Sequence, residues 1–249
     1  MCLIGFTWRP PHELVLAANR DEFHDRPSAP AARWDDAPHV LGGRDLRSGG
    51  SWLAVSARGR LAAVTNVRRM IPPIAGAPTR GALVADFVRG AASAAAFAQA
   101  LHAHADQYSG FNLLLYDGQE LLYVDNHPAF EMARVAPGVH VVSNDQLDTP
   151  WPKALRLKAV LERAPDRAAL FAALADRQPA RDEELPDTGV GPQLERMLSA
   201  PFIVSPGYGT RCSTYVRIAD GVIEFEERRF DSAGRETGVT REHLEIGRG

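Results

Sequence analysis

The chain has 249 residues, of which 45% are hydrophobic and 24% are charged, and its formal net charge is −3. This composition is ordinary for a globular protein, and the length is sufficient to bury a sizeable core. The slight negative charge gives no general attraction for nucleic acid, and no apolar run is long enough to cross a bilayer as a helix. We therefore expect no nucleic-acid partner and no integral membrane segment, and we interpret residues 1–249 as a single domain.

Cysteine usage and the N-terminus indicate the compartment. The chain contains only Cys2 and Cys212, which suggests no disulfide framework and fits a reducing environment. No basic region precedes the first apolar residues, so we expect no export by a standard signal. The prediction is a cytoplasmic protein, and the sequence leaves its oligomeric state open.

The first quarter of the chain reads as paired strands. Cys2–Trp8 and Leu14–Ala18 are short β-rich runs joined by a proline-containing turn. A polar loop with several prolines is predicted from Phe23 to Pro38. Ser51–Ser56 and Leu61–Thr65 then flank a glycine-containing turn, a pattern typical of a hairpin.

The middle of the chain mixes helices and strands. After a proline-rich loop over 72–78, Thr79 is a predicted N-cap for a helix from Arg80 to about Arg89, and a second helix is predicted from Ser93 to His104. The strands predicted next are Phe111–Tyr116, Glu120–Val124 and Val139–Val142.

The last third continues with two helices, a loop and two strands. Helical spacing of apolar residues marks Lys153–Arg163 and Asp166–Asp176. An acidic stretch rich in Pro and Gly over 178–191 is interpreted as a surface loop. Ser213–Ala219 and Val222–Phe230 flank an Asp-Gly turn and predict a final hairpin. Strands, then helices, then strands favour an α+β layered sandwich.

Cys2 is the first candidate for chemistry. Removal of Met1, expected before a small side chain, would leave a cysteine with a free α-amine. The thiolate is a strong nucleophile, and an α-amine with a reference pKa of about 7.7–8.0 is able to accept its proton. Nucleophile and base would then lie in one residue. The alternative interpretation of Cys2 is a small apolar filler in a buried strand.

Five short blocks carry a resemblance to a known family. Asn19-Arg20-Asp21-Glu22 follows the N-terminal Met-Cys, and the later blocks are 41–45 (Leu-Gly-Gly-Arg-Asp), 49–53 (Gly-Gly-Ser-Trp-Leu), 63–68 (Ala-Val-Thr-Asn-Val-Arg) and 208–214 (Tyr-Gly-Thr-Arg-Cys-Ser-Thr). Together they resemble the NRDE family, also called the transport and Golgi organisation protein 2 family. The resemblance implies a cytoplasmic or organellar protein with a four-layer αββα fold of the N-terminal-nucleophile hydrolase type. It also implies a link to haem and lipid trafficking.

The same blocks are more distantly similar to cysteine amidases such as bile salt hydrolase and penicillin V acylase. In that group an Arg precedes an Asn in the strand-end cluster, whereas here Asn19 precedes Arg20, so Asp21 is the more secure match. The resemblance implies a catalytic set of Cys2, Arg20, Asp21, Asn66, Asn144 and Arg211.

This set forms a coherent catalytic hypothesis. The sulfur of Cys2 would attack a carbonyl while its α-amine takes and returns the proton, and Asp21 would hold the amine in place. The side-chain amide of Asn66 or Asn144 would bind the developing oxyanion. Each asparagine has an alternative role in an ordinary turn.

The remaining candidates concern charge and substrate contact. Arg20 and Arg211 would favour the thiolate or bind an anionic part of the substrate, although Arg211 has an alternative as a surface arginine. Asn19 and Trp52 are candidate substrate-binding residues, with Trp52 alternatively a packing aromatic. Cys212 is interpreted as a core residue that faces opposite Arg211.

The spacing of the cysteines and histidines gives little support for metal or cofactor binding. The cysteines and histidines show no zinc-type spacing, so we predict no metal site and no required cofactor. Haem needs only one or two axial ligands, which Cys2 or any histidine would supply. Two hypotheses remain: a cysteine hydrolase acting on a non-peptide amide or thioester of a small or lipid-like molecule, or a non-catalytic carrier of haem or an acyl lipid. An inactive scaffold is the third alternative.

Overall fold

The computed structural model describes residues 2–11, 13–69, 74 and 76–247. The expected removal of Met1 therefore concerns a residue outside these ranges. The predicted loop over 72–78 and the turn after the first strand lie partly outside them as well.

Six of the described strands form one antiparallel sheet. Cys2–Arg9 and Glu13–Phe23 pair from the register Cys2↔Arg20 to Arg9↔Glu13. In spatial order the strands of this first sheet are β10 (Gly138–Val142), β1 (Cys2–Arg9), β2 (Glu13–Phe23), β11 (Tyr208–Ala219), β12 (Val222–Phe230) and β13 (Glu236–Glu245).

The second sheet is also antiparallel and follows chain order, with a helical excursion between β6 and β7. Its strands are β3 (Ser28–Trp34), β4 (Ala37–Asp45), β5 (Leu53–Ser56), β6 (Arg60–Asn66), β7 (Phe111–Tyr116), β8 (Leu121–Asp125) and β9 (Glu131–Arg134).

Helices cover the outer face of each sheet. The α-helices of the described residues are α1 (Arg80–Arg89), α2 (Ala94–His102), α3 (Pro152–Leu161), α4 (Arg167–Leu174) and α5 (Pro192–Leu198). One apolar cluster, which includes Phe6 and Leu61, lies between the sheets. A second joins α1 and α2 to the second sheet, and a third joins α3 and α4 to the first sheet. The layers therefore run αββα, as the sequence predicted.

The predicted loop from Phe23 to Pro38 is wrong in part, because it contains β3 and the start of β4. β3 is an edge strand in which only Ala31 and Trp34 are buried. Pro30, Ala32 and Arg33 are its exposed residues, and this composition gives the pattern of a loop, since an edge strand tolerates proline and needs little apolar surface.

Three further elements were not predicted: β9, α5 and β13. β9 and half of β13 are exposed, and α5 is short, so their sequences carry weak periodicity. No helix within the described ranges has both the length and the apolarity required to cross a bilayer.

Candidate active site

Cys2 opens β1 directly opposite Arg20 on β2. Side chains alternate along a strand, and Ile4 and Phe6 pack in the core between the sheets. The side chain of Cys2 therefore faces the space between the sheets, at the end of the sandwich. Leu3 faces the other way, into the core beneath α3 and α4. Cys2 carries a free, partly buried thiol.

A cavity of about 310 Å³ opens beside this thiol. Its walls come from the ends of β1, β2 and β6, the turn between β4 and β5, and the start of α1. The sequence-predicted residues that line it are Cys2, Arg20, Asp21, Trp52 and Asn66. The charged residues that also line it are Glu22, Arg26, Asp45 and Arg80. The cavity is therefore polar and mixed in charge.

Asp21 is 1% exposed and follows Arg20 on the opposite face of β2. Its carboxylate accepts a hydrogen bond of 2.7 Å from the Thr210 hydroxyl, and its backbone carbonyl accepts one of 3.0 Å from the Tyr208 hydroxyl. Burial raises the pKa of Asp21, whereas Lys153 and the bond from Thr210 lower it. These contacts fix the carboxylate at the strand end next to Cys2.

Lys153 is a site residue that the sequence reasoning missed. It lies in the first turn of α3, is 1% exposed, and its Nζ has no hydrogen-bond partner among the described residues. Burial lowers its pKa to about 8, and the charges of Asp21 and Cys2 act in the opposite direction. The signal was available: Lys153, Leu157 and Leu161 recur at intervals of four, which places the lysine on the buried face of the helix.

A buried ion pair lies behind Asp21. Nη1 of Arg68 donates to Glu195 at 2.6 Å, and both side chains are almost completely buried. The Arg68 guanidinium also lies 4.5 Å from the centre of the Trp151 ring. Glu195 accepts two further bonds, from the backbone N–H and the hydroxyl of Thr188. This network joins α5, the start of α3 and the end of β6 beneath the site.

The two candidate oxyanion residues occupy different positions. Asn66 lies at the end of β6 and lines the cavity. Asn144 is fully buried, and its Nδ2 donates to the backbone carbonyl of Asn66 at 2.8 Å. The hydroxyl of the adjacent Ser143 donates to the backbone carbonyl of Cys2 at 2.9 Å. Asn144 and Ser143 thus tie the strand ends together, and Asn66 lines the cavity.

Cationic groups surround the thiol. Arg20 is 5% exposed and stacks over Trp52 at 4.2 Å from the ring centre. Its Nη2 lies 3.8 Å from a carboxylate oxygen of Glu22. Arg80, which the sequence reasoning did not single out, donates to the backbone carbonyl of Gly110 at 2.9 Å and also lines the cavity.

The thiol itself is held in its protonated form at neutral pH. Burial raises the pKa of Cys2, and the charge of Asp21 raises it further, whereas Arg20 and the backbone N–H of Asp21 lower it. A thiol with a raised pKa ionises little by itself, so nucleophilic attack requires a neighbouring base.

Besides Asn144, two sequence-predicted residues do not line this cavity. Asn19 donates to the backbone carbonyls of Leu174 and Pro201, both at 2.8 Å, and accepts from the Ser213 hydroxyl at 2.6 Å, so its side chain joins β2 to β11 and the helical layer. Nη1 of Arg211 donates to the backbone carbonyl of Phe23 at 3.0 Å. Neither residue lines the cavity of about 310 Å³, although Asn19 and Cys2 both line a small space of about 10 Å³ beside it.

The expectation that Arg211 and Cys212 face opposite directions is wrong. The register between β11 and β2 shifts between Thr210 and Cys212, which is a β-bulge at Arg211. A bulge breaks the alternation of side chains and redirects one of them. Arg211 and Cys212 consequently line the same small cavity, next to Arg20. Cys212 is buried, as expected.

The chain is similar in sequence to known proteins. A family model described as Transport and Golgi organisation 2 matches residues 1–232. The Transport and Golgi organization protein 2 homolog of Homo sapiens is 34% identical over 257 residues, and the alignment covers 92% of each chain.

One solved structure shows the same architecture. The N-acylethanolamine-hydrolyzing acid amidase ortholog of Caenorhabditis elegans superposes with a TM-score of 0.53 at 10% identity, covering 86% of this chain and 92% of that one. A mutant of the conjugated bile acid hydrolase from Clostridium perfringens gives 0.49 at 9% identity, with coverage of 97% and 96%. At such identities the likeness to the amidase ortholog is one of fold alone.

Proposed function

The chain belongs to the Transport and Golgi organisation 2 family, and on that premise we propose that it is a hydrolase with an N-terminal cysteine nucleophile. Its substrate is a non-peptide amide or thioester of a small or lipid-like molecule. The observation that carries the proposal is the position of Cys2, whose side chain faces a cavity of about 310 Å³ while the buried Asp21 lies beside it on the next strand.

The chemistry begins with removal of Met1, which frees the α-amine of Cys2. This amine has a reference pKa of about 7.7–8.0 and takes the thiol proton, a step that is needed because burial raises the pKa of Cys2. The sulfur then attacks the carbonyl carbon. The C–N or C–S bond breaks, the ammonium returns its proton to the leaving amine or thiol, and water hydrolyses the acyl group from Cys2.

Asn66 is the favoured oxyanion donor. Asn66 lines the cavity, whereas the amide of Asn144 is already bonded to the Asn66 carbonyl at 2.8 Å. A donor aimed at the developing oxyanion typically contributes about 2.7–4 kcal/mol. Arg20 contributes by lowering the pKa of Cys2, and its stacking on Trp52 fixes its guanidinium at the cavity wall.

The proposal is tested in two steps with the full chain. Intact-mass measurement first determines whether Met1 is removed. The protein is then incubated near pH 7 with N-acetylcysteamine thioesters and N-acyl amides of graded chain length, and an acyl adduct is located by peptide mapping. Cys212 in the same molecule is the internal control, because it is a second free thiol with a pKa well above the usual range.

The expected result is an adduct on Cys2, its release at a rate that matches turnover, and loss of both in Cys2→Ala. Retention of Met1, or failure of Cys2 to acylate while the denatured protein reacts normally, would overturn the hydrolase proposal. Binding of haem or an acyl lipid that is unchanged in Cys2→Ala would instead support the alternative of a non-catalytic carrier.

A further inference from the structure

A second cavity, of about 130 Å³, lies between the sheets on the other side of the Arg20–Trp52 stack. Arg20 and Trp52 line both cavities and form the boundary between them. The charged residues that line the second cavity are Arg20, Arg211, Arg229 and Glu227. Residues 28–30 of β3 and Thr237 of β13 close it.

Strand register explains why these side chains meet. Cys2 is opposite Arg20, Arg20 is opposite Cys212, and Cys212 is opposite Arg229. Phe225, on the same strand as Arg229, packs in the core between the sheets, so side chains two and four positions beyond it face inward too. A lateral row of two thiols and two guanidinium groups therefore crosses four strands of the first sheet.

The lining of the second cavity has an excess of positive charge, with three guanidinium groups to one carboxyl group. Arg20 is 5% exposed, and its Nη1 has no hydrogen-bond partner among the described residues. Nη1 of Arg229 donates to the hydroxyl of Thr240 at 2.8 Å and lies 3.6 Å from a carboxylate oxygen of Glu227. Nη1 of Arg211 is used by backbone carbonyls. These bonds engage Nη1 of Arg229 and Nη1 of Arg211, and a guanidinium group has five N–H donors in all.

Glu227 does not cancel this excess. It is 1% exposed, one carboxyl oxygen accepts from the backbone N–H of Ala31 at 2.9 Å, and the other has no hydrogen-bond partner among the described residues. Burial raises the pKa of Glu227, whereas the bond from Ala31 and the charge of Arg229 lower it. Glu227 is thus one carboxyl group among three guanidinium groups in the lining.

We infer that the second cavity is a binding site for a small oxyanion, either a carboxylate or a phosphate group. Planar guanidinium groups match the oxygens of such anions and bind them in pairs of hydrogen bonds. Glu22 lies 3.8 Å from Arg20 and Glu227 lies 3.6 Å from Arg229, and an anion between the two arginines offsets the positive charge that remains in the cavity. The volume, equal to about four water molecules in the liquid, suits one such group. The inference does not depend on the proposed hydrolase chemistry.

Inorganic phosphate tests the site directly. Isothermal titration of the full chain is expected to give saturable binding at one site, weakened at least about tenfold in Arg229→Met. Arg241→Met is the matched control, because it removes the same charge from the adjacent strand, where Arg241 bonds Glu226 and is 60% exposed. Ala29→Leu leaves charge unchanged and fills the cavity, so it is expected to abolish binding even if Arg229→Met folds poorly.

Two results would overturn the site. One is the absence of saturable phosphate or acetate binding up to roughly 50 mM. The other is equal weakening in Arg229→Met and Arg241→Met, which would indicate non-specific attraction.

A second arm separates a free ion from the anionic end of a longer molecule. Cys2 acylation is compared between the N-acetylcysteamine thioesters of butanoic acid and of glutaric acid, which differ in a terminal carboxylate. Preference for the glutaryl compound that is lost in Arg229→Met identifies a substrate's anionic end. Equal rates, together with phosphate binding, identify a free anion. Only this arm relies on chemistry at Cys2.

Discussion

Lys153 and Asp21 are opposite charges inside the protein, each on a residue that is 1% exposed. Burial has the largest effect on the pKa of each group, and the partner's charge has the second largest. Asp21 raises the pKa of Lys153, and Lys153 lowers the pKa of Asp21. The amine of a mature Cys2 would lie beside this pair. Lys153 therefore offsets a carboxylate that would otherwise hold that amine protonated.

The pH dependence of stability tests this burial. The pKa of Lys153 falls from 10.5 to about 8, so between these values the unfolded chain binds more protons than the folded one. Stability contributed by this group accordingly rises with pH across that window. We expect the free energy of unfolding of the wild type, relative to Lys153→Met, to increase by on the order of 2 kcal/mol from pH 7 to pH 10.

Urea denaturation at several pH values measures this difference, and subtraction removes the contributions of other titrating groups. Lys158→Met is the matched control on the same helix, since Lys158 is 31% exposed and bonds Asp148 at 3.2 Å. A flat difference for Lys153→Met would show that the ammonium is not desolvated as the structure indicates.

The reactivity of Cys2 tests the role of Arg20. Arg20 lowers the pKa of the thiol, so Arg20→Met is expected to raise that pKa and slow alkylation by iodoacetamide about threefold to tenfold between pH 7 and pH 8. Arg20→Lys keeps the charge but loses the planar stack on Trp52, and an intermediate rate is expected. Mass spectrometry of the Cys2 peptide gives the rates. Faster alkylation in Arg20→Met would contradict the electrostatic role.

Local signals in the sequence predicted much of the fold. The helix predicted from Arg80 to Arg89 has those bounds, because the Thr79 side chain accepts from the backbone N–H of Gly81 and needs no distant partner. The family blocks predicted the family and its αββα layers. The match of the family model confirms the family, and the match of a solved amidase fold confirms the layers. The edge strand β3 was missed because it buries too little surface to show a period.

The site was harder to predict because it depends on contacts between distant segments. Asn19 and Asp21 are two positions apart in one polar run, yet only Asp21 lines the cavity, since Asn19 is bonded to carbonyls more than 150 positions away. The bulge that turns Arg211 away from Cys2 exists only in the pairing of β11 with β2. The helical spacing of Lys153 indicated a position on the buried face of α3, but a lysine is seldom expected in a core.

Substitution of the two asparagines separates a catalytic from a structural role. Asn66→Ala is expected to lower the rate of Cys2 acylation about a hundredfold with little change in stability, since it removes an oxyanion donor that lines the cavity. Asn144→Ala is expected to cost about 1–3 kcal/mol of unfolding free energy, because the partly buried Asn66 carbonyl loses its bond. Single-turnover kinetics and thermal denaturation measure the two effects. The reverse assignment would follow if Asn144→Ala abolished acylation in a protein of normal stability.

The Arg68–Glu195 pair supports the site from beneath, and its removal is expected to have a non-additive effect. Arg68→Met leaves the Glu195 carboxylate buried without its cation, which typically costs about 3–5 kcal/mol. The double variant Arg68→Met/Glu195→Met leaves neither charge and is expected to be more stable than Arg68→Met alone. Arg69→Met is the matched control, since Arg69 is 40% exposed and pairs with Asp145 at 3.2 Å, and we expect it to cost less than about 1 kcal/mol.

Urea denaturation of the wild type, Arg68→Met, Arg69→Met and the double variant measures these losses of stability. Equal losses in Arg68→Met and Arg69→Met would mean that water reaches the inner pair.

The same variants also report on the electrostatics around Cys2, because the charge of Arg68 acts on both Asp21 and Lys153. Loss of the Arg68 charge is expected to raise the pKa of Lys153, since Arg68 lowers it, and so to move the stability window of Lys153 to higher pH. A window that stays near pH 8 in Arg68→Met would show that burial alone sets the titration of Lys153.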